Sequence, residues 1–322
     1  MDRKALFNLI NGNTENDVPK MTPDKNTPIE IDKNAKLTFA VFGDPQVTSV
    51  SPVREMRFTA ACEDIANMHS PLDALVIVGD VSEYGSENDF DTASRILNTA
   101  SSNFKNFIAV SGNHDVRFRN YKKQLYRFNN FVASVNGGKV GSYDNYYFSK
   151  EINGYKFIML GTDKTKLESA YISEKQLIWL EKEIAEGTKN GKPVFVFNHQ
   201  PLKKEHGLPD VWFSHDKFRG SIGNSSDRVK RIFERYHNVI FITGHLHYGV
   251  YEKSYEDHGA YKSLSVPVVG PVNHGDNAPD CQSYVISVYE DKIIAKARLF
   301  GDGKYLDESV PNAIIEINLS II

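Results

Sequence analysis

The chain has 322 residues, room for one large domain or two ordinary ones at about 150 residues per domain. Hydrophobic residues make up 40% and charged residues 25%, which is enough to build a packed core and excludes a globally disordered chain. Lys+Arg 38 against Asp+Glu 41 leaves a net charge of -3. That excludes a general polyanion-binding surface, though not a phosphate-bearing substrate, whose charge a metal ion can meet locally.

Residues 1–20 lack a signal-peptide profile, because LFNLI is too short an apolar region and Asn-rich sequence follows it. No apolar run reaches the roughly 18 residues that span a bilayer. The expectation is a reduced, cytoplasmic protein with no membrane partner. Residues 11–36 are polar and carry three prolines, so residues 1–36 are read as an N-terminal arm and 37–322 as the domain. From Leu37 onward, short apolar runs each end in a polar cluster. LTFAVFG precedes Asp44, ALVIVG precedes Asp80 and NFIAVSG precedes Asn113. PVFVF precedes Asn198 and His199, and NVIFITG precedes His245. Such continuous runs suit strands buried on both faces.

Helical patterns fall between these runs, near 53–68, 88–100, 121–135, 173–185 and 226–236. Ser173 with Gln176 three residues later is a capping-box signature. After His247 the pattern is all strand, with YKSLSVPVV, SYVISVY, KIIAKARLF and NAIIEINL separated by turns at Glu290–Asp291 and Gly301–Gly303. An α/β fold of stacked sheets with helices outside is expected, and no internal repeat is present. Cys62, in a helical pattern, and Cys281, opening a strand, read as core fillers.

In open α/β sheets, ligands sit outside the carboxyl ends of strands. Here those ends offer Asp44-x-Gln46, Asp80, Asn113-His114-Asp115, His199 and His245-x-His247. Carboxylate and amide oxygens with imidazole nitrogens make a sound donor set for divalent metals. Each residue alone also reads as a turn, a cap or a core histidine, but five clusters in order are harder to dismiss. The ordered set FGDPQ, VGDVSEYG, SGNHD, NHQP and GHLH resembles the calcineurin-like metallophosphoesterase superfamily over about residues 38–300.

That resemblance implies a four-layer α/β/β/α sandwich with two mixed central β-sheets and a site at the loops between them. It implies two divalent or trivalent ions (Mn, Fe or Zn) bridged by Asp80. Asp44, Gln46 and His247 would complete one metal site, and Asn113, His199 and His245 the other. A metal-activated water would attack phosphorus, His114 would contact the phosphate and protonate the leaving oxygen, and Asp115 would orient His114. Asn113, His114 and Arg117 are the expected substrate contacts. The departure is Gln46, where the family pattern usually has His. It either ligates through a harder oxygen, tilting that site toward Mn, Mg or Fe, or hydrogen-bonds a water on the metal.

Among family branches, the arginines of the protein Ser/Thr phosphatases are missing from GDVSEYG and SGNHD. Purple acid phosphatases place a Tyr three residues after the bridging Asp, where this chain has Glu83, with Tyr84 one residue late. Only 75 residues follow His247, too few for the C-terminal domain of the 5′-nucleotidases. A small phosphoester remains, with diesters favoured over monoesters and nucleic acid not expected. Arg117 and Arg119 could grip a phosphate oxygen or be solvated charges. In the long 201–224 segment, His206, Trp212, Phe213 and His215 could wall a cleft or cap a minor core. His274 is a weaker rim candidate, and His69, His237 and His258 read as surface residues. A metal-dependent binding protein with a decayed site is the alternative, supported only by Gln46.

Overall fold

Every apolar run identified in the sequence becomes a strand, and the helices between them cover the outer faces. The computed structural model describes residues 27–117, 120–138, 146–208, 220–270 and 281–319. In chain order the first half comprises β1 (Leu37–Phe42), α1 (Pro52–Ala66), β2 (Ala74–Val78), α2 (Glu87–Asn98), β3 (Phe107–Val110), a single turn α3 (Asn113–Val116) and α4 (Tyr121–Val135). The second half comprises β4 (Phe148–Ile152), β5 (Tyr155–Met159), α5 (Glu174–Gly187), β6 (Val194–Phe197), α6 (Ser226–Phe233), β7 (Val239–Thr243), β8 (Tyr255–Asp257) and β9 (Tyr261–Ser265). The chain then returns through β10 (Gln282–Val288), β11 (Lys292–Leu299), β12 (Lys304–Tyr305) and β13 (Ile314–Asn318).

Two mixed sheets result. One runs β12-β11-β10-β1-β2-β3 with β13 on β11, and the other β4-β5-β6-β7-β9-β8. In the first, β1, β2 and β3 are parallel and β10 is antiparallel to β1. In the second, β5, β6, β7 and β9 are parallel, and β4 and β8 close the edges antiparallel. The two-residue alternation of a strand separates the layers. Along β1, Leu37, Phe39 and Val41 face the opposite sheet, while Ala40 and Phe42 face the helices. Between the sheets Phe39 meets Phe157 and Phe195 edge-on, each at 5.1 Å, and Phe157 stacks on Phe197 at 5.6 Å. Burying such a ring contributes roughly 1.5–3 kcal/mol. Outside the first sheet, Phe58, Cys62, Phe90, Phe128 and Phe131 pack from α1, α2 and α4. Outside the second, Leu177, Leu180, Val229 and Phe233 pack from α5 and α6. This is the expected α/β/β/α order.

Residues 27–36, read from sequence as part of an arm, lie on the domain. Ile29 is buried in the helix-side core, Thr27 N donates to Gly303 O at 2.9 Å, and Thr27 O accepts from buried Arg298. Arg298 also forms a two-pronged pair with Asp64 on α1, both contacts at 2.7 Å. Residues 1–26 fall outside the described residues. The β4–β5 hairpin was absent from the sequence reading. It turns at Asn153 and Gly154, both at positive φ (51° and 77°), the pattern of a tight two-residue turn. Ser173 caps α5 by accepting from Gln176 N, but the box is one-sided. The Gln176 side chain bonds Gly161 and Asp163 instead. Both cysteines are buried, as expected of core fillers.

Candidate metal centre

The carboxyl ends of β1, β2, β3, β6 and β7 converge where the two sheets meet. Asp44 and Gln46 follow β1, Asp80 follows β2, and Asn113 and His114 open α3 after β3. His199 follows β6, and His245 and His247 follow β7. Five of these residues turn through positive φ: Asp44 (49°), Gln46 (44°), Asp80 (48°), His245 (75°) and His247 (54°). L-residues seldom adopt that region, and such strain concentrates at functional sites. It also bends each chain sharply off its strand, so that side chains two apart can share one pocket.

The donor atoms converge into two sets that share one carboxylate. Single donor atoms of Asp80, His199 and His245 lie within 4.8 Å of one another, and so do those of Asp44, Asp80 and His247. Backbone groups fix each donor. His245 N donates to Asp44 Oδ2 at 2.9 Å, which turns Oδ1 inward, 3.2 Å from His247 Nε2 and 3.7 Å from His199 Nε2. Asp44 Oδ1 is buried and accepts no hydrogen bond. His114 N donates to Asp80 Oδ1 at 2.8 Å, and Asp80 Oδ2 faces His199 Nε2 at 3.2 Å. His199 Nδ1 lies 2.8 Å from Val78 O, so Nδ1 carries a proton there and Nε2 is the nitrogen that faces the centre. His245 Nδ1 stands 3.1 Å from that nitrogen.

The electrostatics agree with a cation-seeking pocket. Burial pulls the His199 pKa down, but the carboxylates of Asp80 and Asp44 outweigh it and raise it to about 10. Burial pushes Asp80 up, yet His199 and His114 hold it well below the usual carboxylate range. Burial, and then His199, hold His245 neutral. Two sealed carboxylates surrounded by imidazoles, one oxygen of Asp44 accepting no hydrogen bond, fit two bound cations.

The remaining expected residues divide. Gln46 turns its amide nitrogen toward Asp80 Oδ2 at 3.5 Å. Asn113 donates from Nδ2 to Glu168 Oε2 at 3.1 Å, and its Oδ1 lies 3.5 Å from Gln200 Nε2. His114 points Nε2 inward, 3.9 Å from Asp80 Oδ2. Its Nδ1 lies 2.9 Å from Glu83 O and 3.1 Å from an Arg117 nitrogen. Asp115 departs from expectation, because its carboxylate does not orient His114. It accepts from Gly112 N (2.9 Å), Val81 N (3.3 Å), Ser82 N (2.9 Å) and Ser82 Oγ (3.2 Å), stapling the loop after β2 to the loop after β3. Burial, then the charge of Asp80, push its pKa up to about 7. Glu83, itself paired with Arg54, takes over the orientation of His114.

Glu83, Glu168 and Gln200 were missed as site residues. Glu83 and Gln200 lie inside quoted motifs and could have been found there, whereas Glu168 has no local signal. His206 is fully buried, with Nδ1 2.7 Å from Lys253 O, so it takes the core reading rather than the cleft wall. His258 is half-buried, not a plain surface residue. It stacks on Tyr261 at 4.5 Å and lies 3.4 Å from Glu205. His69 and His237 are exposed, as expected. Arg119, Trp212, Phe213, His215 and His274 lie outside the described residues. No described helix is long and apolar enough to cross a membrane.

The chain matches solved structures of the same fold. A dimetal phosphatase from Danio rerio superposes with a TM-score of 0.62 at 16% identity, covering 89% of this chain and 100% of that one. A purple acid phosphatase from yellow lupin (Lupinus luteus) seeds gives 0.57 at 12% identity, covering 89% of this chain and 54% of that one. In this chain Tyr84 is 43% exposed. No curated protein matches the chain in sequence. The family model for calcineurin-like phosphoesterases matches residues 37–249, a span that holds all the converging donors, and the chain belongs to that family of metal-dependent phosphoester hydrolases.

Proposed function

We propose that this chain hydrolyses small phosphodiesters, in preference to monoesters, at a centre of two metal ions. The observation that carries the reading is the shared carboxylate: Asp80 lies within ligand reach of both donor sets. In this reading Asp44, Gln46, Asp80 and His247 hold one ion, and Asp80, Asn113, His199 and His245 the other. Bound there, two ions lower the pKa of a water, polarise the phosphoryl oxygens and neutralise developing charge.

The protein's own groups supply position and a proton. His114 is the proton donor to the leaving oxygen, since its Nε2 faces the centre and its ring is partly exposed, at 14%. Its Nδ1 is held by the Glu83 carbonyl, so the proton that a protonated ring gives up is the one on Nε2, the nitrogen facing the centre. Arg117 follows α3 directly, and its guanidinium lies beside the His114 ring. Asp115 keeps the β2 and β3 loops in register, so that Asp80 and His114 face each other.

The test is hydrolysis of an aryl phosphodiester beside its monoester, by metal-stripped protein resupplied with Mn, Zn, Fe or Mg. Turnover that requires metal and is lost in Asp80→Asn and His114→Ala is expected, with the diester ahead. Protein that takes up no ion under any of these conditions would refute the reading.

A further inference from the structure

Glu168 lies on the segment between β5 and α5, distant in sequence from every expected ligand, yet its carboxylate spans two of the residues expected to contact substrate. Oε1 accepts from Arg117 at 2.7 Å and Oε2 accepts from Asn113 Nδ2 at 3.1 Å. Gln200 Nε2 donates to the Glu168 backbone oxygen at 3.4 Å, which holds the segment against the centre. The side chains of Arg117 and Glu168 are 15% and 18% exposed, so solvent and salt screen this pair less than a surface one.

We propose that Glu168 sets the charge of the substrate this centre accepts: it neutralises Arg117 and so favours singly charged phosphodiesters over doubly charged phosphomonoesters. The proposal rests on the phosphoesterase reading above and adds a residue that determines specificity. A phosphomonoester carries close to two negative charges near neutral pH, because its second pKa is about 6. A diester carries one. The second charge of a monoester needs a cation beyond the metal ions, and the guanidinium beside His114 is placed to provide it with paired donors. With the Glu168 carboxylate against it, that guanidinium is already matched, so the effect of Glu168 acts through Arg117. Glu168→Gln keeps an oxygen acceptor and the side-chain length but removes the charge.

The experiment uses the full chain saturated with Mn, as wild type, Glu168→Gln, Arg117→Met and the double variant. Binding of inorganic phosphate and of dimethyl phosphate is measured by titration calorimetry at about pH 8, where inorganic phosphate is a dianion. Turnover of the aryl monoester and diester is measured alongside. Glu168→Gln is expected to bind inorganic phosphate about tenfold more tightly, and to raise the monoester-to-diester ratio of kcat/KM by a similar factor through the monoester KM. Dimethyl phosphate should move less than about twofold, and the charge effect should vanish in the Arg117→Met background. A phosphate affinity and ester ratio unchanged in Glu168→Gln would overturn the proposal, as would a change that survives removal of Arg117. A wild type that binds ions but turns over neither ester would sink the proposed function, while the phosphate affinities would still decide the role of Glu168.

Discussion

Gly112 links the packing of the loops to the metal centre, and Gly112→Ala perturbs that link with a single methyl. Its φ of -93° and ψ of -179° are open to alanine, so the backbone conformation costs nothing. The new Cβ would instead overlap Asp80 Oδ1 and the Asp80 amide nitrogen. The carboxylate has to turn and the Asp80 backbone has to shift, which breaks the 2.8 Å bond from His114 N and moves Oδ2 away from His199 Nε2. Losing a charge-assisted bond in a buried setting costs about 1.5–3 kcal/mol. Crowding a filled site adds about 1–3 kcal/mol. A combined cost of about 2.5–6 kcal/mol lowers the melting midpoint by roughly 10 °C for a domain of this size. Because Asp80 belongs to both donor sets, ion affinity should fall by about 10–100-fold as well. Melting curves without metal report the packing cost, and calorimetric titration with Mn reports the affinity. A variant that melts within about 1 °C of wild type, or binds Mn unchanged, would refute the steric argument and the role given to Asp80.

Two further predictions concern groups away from the centre. Burial pushes Glu205 up to about 7, although Tyr261 donates to it. Its folded pKa lies above the unfolded value near 4.5, so its contribution is fully present below about pH 4.5 and is lost as pH rises toward 7. Glu205→Gln, which keeps an acceptor for Tyr261, should therefore melt higher than wild type above about pH 8 and show a flatter melting profile between about pH 5 and 7. Parallel profiles for the two proteins would contradict it. The buried pair of Arg298 and Asp64 should cost about 3–5 kcal/mol when Asp64→Ala strands the guanidinium. The double change Asp64→Leu with Arg298→Met should cost far less in urea denaturation, and a double variant weaker than the single one would count against the argument.

Much of this architecture was legible in the sequence, because buried parallel strands write themselves as unbroken apolar runs. VFVF and VIFIT each sit wholly inside the sandwich, and the polar residue that ends each run marks a site loop. β4 escaped for the converse reason: FSKEI is an edge strand with only Ile152 fully buried, and it carries no continuous apolar signal. The Asn153–Gly154 turn was the cue available there. The donor set was readable because its members cluster in short motifs. The work of Asp115 was not, since the amides it accepts come partly from Val81 and Ser82 on another loop, and no local pattern records that meeting. Glu168 was hidden for the same reason, as only the folded chain brings it to Arg117 and Asn113.

The proposed donors are divided between the two sheets. Asp44, Gln46, Asp80 and Asn113 hang from one, and His199, His245 and His247 from the other. A half-folded molecule with only the first sheet formed would present oxygen donors without imidazole, and one with only the second would present imidazoles without a carboxylate. Neither half alone is a competent chelator. An ion held by both sets would therefore report that the two sheets have docked, and it would clamp residue 44 to residue 247 across about 200 residues of intervening chain.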